Sequence, residues 1–149
     1  CPSGKPVKSG VVTQLPSVGS HTSGWAIYVG GQRFIAEGQA IDFGIPNNTK
    51  VTTTHKGQAY YFPWGSNSPT SYGNWVAVVG SCTDPTTKKK YVFVTTYAHL
   101  NAANLPPGGP TNVNKGDLIG LSDNTGNSTG PHLHYEMMGL GSILRFTNL

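Results

Sequence analysis

Two histidines, His132 and His134, stand one residue apart directly after a loop-forming stretch of Asn, Thr, Gly, Ser and Pro, residues 124–131. The run from His132 to Met137 suits a strand, where residues i and i+2 project from the same face. His132 and His134 then point together while Leu133 turns into the core. Paired imidazoles make poor core material, because each carries a polar nitrogen that must find a partner. A metal ion or a reacting substrate supplies one. Glu136 falls on the same face by parity. It reads as a surface carboxylate, with the alternative of orienting a ligand imidazole. His99, in Tyr97-Ala98-His99-Leu100, and His21, in Gly19-Ser20-His21-Thr22, are further histidines in contexts that suit a site. Tyr97, two residues before His99, is expected on the His99 face. His55, in Thr54-His55-Lys56-Gly57, reads as an exposed turn residue.

The elements that must position these groups are strands. Nine candidates follow in quick succession: residues 25–29, 33–36, 40–43, 50–54, 58–62, 75–79, 90–97, 118–120 and the His132 strand. All are rich in β-branched and aromatic residues and are bounded by turn signals. Gly30-Gly31 between the first two predicts a tight hairpin. No segment carries a helical period. The fold class is therefore all-β, with packed antiparallel sheets and long loops forming a groove at one end. Trp75 and Tyr61 are expected in the core, and the loop 65–73 as one wall of the groove. The 149 residues suit one domain, 17–149, preceded by a polar arm, 1–16.

Composition narrows the function classes. Twenty glycines and 11 prolines with only 11% charged residues suit short strands and many turns. The net charge of +4 is too small to argue for nucleic acid, and the one basic run, Lys88-Lys89-Lys90, reads as a solvated loop. No apolar run is long enough to span a bilayer. Two cysteines, Cys1 and Cys82, are read as a disulfide, with a lipid-modified Cys1 as the alternative. The chain starts at Cys1 without an apolar leader, as a processed product would. Both readings imply an extracellular or cell-envelope location.

The motifs Tyr97-Ala98-His99-Leu100, Asn114-Lys115-Gly116-Asp117-Leu118-Ile119-Gly120 and residues 124–136 occur in the order and spacing of the M23 zinc metallopeptidases, the lysostaphin-like and β-lytic endopeptidases. Upstream, Ala40-Ile41-Asp42-Phe43 with Pro46, Val51 and Gly57 resembles that family's aspartate strand and the strand pair after it. The resemblance implies a zinc endopeptidase that cuts peptide cross-bridges of peptidoglycan, often at glycyl bonds. Carried over by position, Asp42 and His134 are metal ligands, and His99 and His132 are catalytic. The chain departs from the common pattern at one place. Four residues before the aspartate, where a ligand histidine is usual, stands Gly38.

His21 is the candidate replacement, since its loop resembles the Gly-x-His-Thr loop of other branches of the family. It lies 21 residues before Asp42, and an intervening hairpin can close that distance in space. Glu37 is a weaker candidate, because its neighbour's position faces the other way on a strand. Two imidazoles and a carboxylate suit Zn²⁺ and leave a position for water. Two other classes stay open: an inactive M23-like module that binds wall peptide, suggested by Gly38, and a structural subunit that self-assembles through strand addition by the arm.

Overall fold

The computed structural model describes residues 1–140. The end of the expected domain, 141–149, lies outside the described residues. Ten antiparallel strands make one hydrogen-bonded sheet: β1 (Val11–Gln14), β2 (Ser23–Val29), β3 (Gln32–Gly44), β4 (Lys50–Thr52), β5 (Gly57–Phe62), β6 (Asn74–Thr83), β7 (Lys90–Ala103), β8 (Gly108–Val113), β9 (Leu118–Ser122) and β10 (His132–Gly139). The main path runs β1-β3-β10-β7-β6-β5-β8, with β2 on β3, β9 on β7 and β4 on β9. Among the described residues the only helical turn is a 3-10 turn, Thr70–Tyr72.

Gly30 and Gly31 both take positive φ, 58° and 76°, which is the backbone a two-residue hairpin turn requires. They join β2 to β3 with Val29 opposite Gln32. The two strands expected at 33–36 and 40–43 are one long strand, β3, bent by a bulge. Opposite it, Glu136 pairs with Ala40 and Met138 with Ala36, so four steps on β3 match two on β10. Gly38 sits inside that bulge at φ +71°.

The pleat separates two cores. Ile41, Phe43, Val76, Tyr97, Leu100, Leu133 and Tyr135 pack on one face. Ile27, Phe34, Trp75, Ala77, Ala98 and Met138 pack on the other, and the histidine pair shares this second side. Trp75 is fully buried as expected, whereas Tyr61 is only partly so.

Two strands escape the sequence reading, both at sheet edges. β1 lies within the arm and pairs with β3, although Val11 and Val12 remain exposed. β8 contains Gly108-Gly109-Pro110, which reads as a turn; Pro is tolerated in a sheet at such an edge. Cys1 is bonded to Cys82, so the disulfide is the arrangement the structure takes, and it ties the arm to β6.

His55 corrects another expectation: it is 4% exposed, not a surface residue. Its Nδ1–H donates to the Lys56 carbonyl at 2.9 Å, and Nε2 lies 2.7 Å from the Thr95 hydroxyl. That hydroxyl is 3.0 Å from the Tyr97 phenol, which also meets the Thr54 hydroxyl at 3.2 Å. A polar network satisfies the buried ring, which is why a residue in a turn sequence can be interior.

Candidate metal centre

Three strands and one loop build the site. In β10, His134 pairs across to Asp42 on β3 and to Ala98 on β7, placing its ring on the second face between them. His21 arrives from the loop before β2. That loop is pinned over the β3 bulge by a hydrogen bond from the Ser17 N–H to the Gly38 carbonyl at 2.8 Å. A turn closed by the His21 N–H on the Val18 carbonyl then brings the imidazole back. His21, Asp42 and His134 each offer a ligand atom, and these atoms lie within 4.8 Å of one another. Glu37, the weaker candidate, is not in this group.

The same loop accounts for Gly38. A Cβ there would come within 2.8 Å of the Ser17 hydroxyl, on a backbone that side chains rarely adopt. The position that carries a histidine in the common pattern is covered by the segment that delivers His21.

Each imidazole of the trio is held at its outer nitrogen. His21 Nδ1–H donates to the Leu15 carbonyl at 2.9 Å, and its Nε2 lies 3.3 Å from Asp42 Oδ1. That Nε2 is buried and has no hydrogen-bond partner. His134 Nε2 is 3.3 Å from Glu136 Oε2, and its Nδ1 is 3.0 Å from Asp42 Oδ1. Burial works against an Asp42 carboxylate, yet the His134 and His21 contacts outweigh it and hold the group well below the usual range. Burial also disfavours a charged His134, but Asp42 and Glu136 on either side raise its pKa to about 9. An orphaned nitrogen beside the Asp42 carboxylate calls for a cation, and the two-nitrogen, one-oxygen set is the donor chemistry of zinc.

His99 and His132 stand beside this trio. His132 Nδ1–H donates to the Gly130 carbonyl at 2.9 Å, and its Nε2 faces Asp42 Oδ1 at 3.9 Å. Its ring lies 4.7 Å from that of His99. His99 Nδ1–H donates to the Thr125 carbonyl at 2.6 Å. Burial lowers the His99 pKa to about 4, against the opposing pull of that carbonyl, so the ring is neutral near pH 7.

Tyr97 does not share the His99 face. It lies opposite Tyr135 on the other side of the sheet, within the His55 network. The reason is a bulge: three steps on β7, from Tyr97 to Leu100, match two on β6, and His99 takes φ +61°. The kink turns His99 into the site against simple alternation. Glu136 is also not the surface carboxylate expected; it is 1% exposed and accepts a hydrogen bond from the Tyr72 hydroxyl at 2.7 Å.

A cleft of about 290 Å³ opens over His99 and His134. Trp25 lines it together with Pro69, Ser71 and Tyr72 of the expected loop. Trp25 meets the Tyr72 ring edge-on at 5.9 Å. Tyr72 and Thr125 are site residues that sequence reasoning missed. Thr125 lay inside the segment singled out, but a carbonyl acceptor leaves no mark in side-chain identity.

Residues 36–145 match the model of Peptidase family M23. The chain belongs to peptidase family M23. Among curated M23-type relatives, it is 35% identical over 107 residues to the peptidoglycan DD-endopeptidase ShyA of Vibrio cholerae, covering 72% of this chain and 21% of that protein. An uncharacterized metalloprotease of Buchnera aphidicola is 33% identical over 111 residues, 74% of this chain and 26% of the relative. The chain thus spans about a quarter of the length of these relatives. In fold it resembles the lysostaphin catalytic domain of Staphylococcus simulans, with TM-score 0.53, 24% identity and coverage of 82% and 83% of the two chains. It also resembles a zinc-containing peptidase from Vibrio cholerae, with TM-score 0.60, 21% identity and coverage of 93% and 36%. This M23 domain is all-β, and among the described residues no helix is long and apolar enough to cross a membrane.

Proposed function

We propose that this M23 domain is a zinc-dependent endopeptidase acting on the peptide cross-bridges of peptidoglycan, outside the cytoplasm. The observation that carries the reading is the convergence of His21, Asp42 and His134, with His99 and His132 alongside and a cleft above. The peptidoglycan activity named for the Vibrio relative supports the substrate class.

His21 Nε2, Asp42 and His134 Nδ1 would hold the metal, which supplies a Lewis acid for the scissile carbonyl and lowers the pKa of water. The chain's own residues do the rest. His99, neutral and locked with Nδ1–H on Thr125, presents its other nitrogen as an acceptor that orients the attacking water. His132, tied at Nδ1 to Gly130, is placed to take a proton at Nε2 and pass it to the departing amine. The packed Trp25 and Tyr72 rings give an extended peptide an apolar surface beside the metal position and limit the entry of bulk water.

The test is release of new amino termini from purified, cross-linked peptidoglycan, followed by mass spectrometry of the fragments. Cleavage should stop with a chelator and return with zinc. A folded, zinc-loaded chain that binds wall material and releases no amines would overturn the peptidase reading in favour of a binding module.

A further inference from the structure

The buried Glu136 carboxylate has no place among the three ligand groups, yet it sits against one of them. Its Oε2 is 3.3 Å from His134 Nε2 and 2.7 Å from the Tyr72 hydroxyl. The residue is 1% exposed, and among the described residues its only ion pair is with His134. A buried carboxylate costs several kcal/mol unless charge and hydrogen bonds compensate it. Retaining one here needs a reason.

Building on the proposed metal site, we infer that Glu136 and Tyr72 form a positioning relay that fixes His134 as a metal ligand. His134 has two nitrogens and one useful tautomer. With Nε2–H held on Glu136, the nitrogen free to give up its proton to a metal is Nδ1, which faces Asp42 on the side where His21 Nε2 also points. A ring with the proton on Nδ1 would turn an N–H toward the metal position. The carboxylate also adds negative charge behind the imidazole, which makes it a better donor and offsets the charge of a divalent ion.

Tyr72 completes the arrangement from another element. The 3-10 turn Thr70–Tyr72 drops the phenol into the second core beside Trp75, with ring centroids 5.3 Å apart. Its hydroxyl donates to the same oxygen that accepts from His134. Two donors then fix the carboxylate's position. Because Tyr72 also lines the cleft, the wall that meets substrate and the support of the metal ligand are one residue.

Zinc affinity, the rate of zinc release to a chelator and melting temperature are measured on the full chain for wild type, E136Q, E136L and Y72F. E136L should weaken zinc binding by about 10- to 100-fold, the range for lost partners of a ligand histidine. E136Q keeps an acceptor oxygen and should recover part of that loss, and Y72F should show a smaller loss with faster release. In the zinc-loaded wild type, nitrogen NMR should place the His134 proton on Nε2. E136L binding zinc as tightly as wild type would overturn the inference while leaving the metal site standing. So would zinc losses that merely track melting temperature across the set, with no rescue by E136Q. Should E136L fail to fold, Y72F and E136Q decide alone: equal affinity and release rates for both overturn it. A folded wild type that takes up no zinc would overturn the metal reading itself, and this inference with it.

Discussion

At the scale of single residues, the site divides by how closely each histidine approaches Asp42. His21 and His134 bring a ring nitrogen within 3.3 Å and 3.0 Å of Asp42 Oδ1, whereas His132 stops at 3.9 Å and His99 is anchored to the Thr125 carbonyl. Removing a ligand and removing a neighbour should therefore fail differently. His21→Ala should cost more zinc affinity than the ~100-fold ceiling for supporting residues. His132→Ala and His99→Ala should keep zinc within a few-fold and lose about 10²- to 10⁴-fold in kcat/KM. Metal content measured beside turnover separates the two groups, and a metal-free His132→Ala protein would reverse the assignment. Gly38 gives a sharper comparison. With φ +71° and Ser17 in the way, Gly38→His should lower stability by roughly 1–3 kcal/mol and add no second zinc. Chemical denaturation and metal stoichiometry check both halves. A stable Gly38→His chain with tighter zinc binding would mean that His21 is dispensable.

At the scale of elements, the strands were legible wherever alternation was intact. The His132 strand and the Gly30-Gly31 hairpin followed from residue type and period, whereas the aspartate strand was read as two pieces on either side of its bulge. Bulges were not legible, because an inserted residue leaves the composition of a strand unchanged while inverting every face beyond it. That inversion placed Tyr97 and His99 on opposite sides of the sheet, while the two extra residues of the β3 bulge left Gly38 beneath the His21 loop. Glu136 and His55 were misplaced for another reason: their partners, Tyr72 and Thr95, come from distant segments that local reading does not join. The His99 bulge carries its own prediction. Gly73, at φ +66°, closes the 3-10 turn directly against Thr125, whose carbonyl holds His99. Gly73→Ala must push the Thr125 segment, so kcat should fall by up to about 100-fold through misplacement of His99. Zinc content should stay near one per chain. Full activity in that variant would show that the Thr125 anchor does not set the His99 position.

At the scale of the whole molecule, histidine protonation couples the fold to pH away from the cleft. His55 lies in the polar network with Thr95 and Tyr97, on the face opposite His134. Burial lowers its pKa from 6.5 to about 4, although the Lys56 carbonyl pulls the other way. The unfolded chain then takes up a proton at this position before the folded chain does. Stability is complete above the unfolded value and falls as pH drops from about 6.5 towards 4. The separation of the two values corresponds to about 3 kcal/mol at most. His55→Gln should be less stable than wild type at neutral pH, since it gives up a fitted ring, yet should lose less on acidification. The comparison is the free energy of urea unfolding at pH 7 and pH 4.5 for both chains. Zinc release and the site histidines contribute to both, so the difference between the two slopes isolates His55. Equal losses in the two chains would show that the folded chain protonates this ring as readily as the unfolded chain does, so that burial does not hold it neutral.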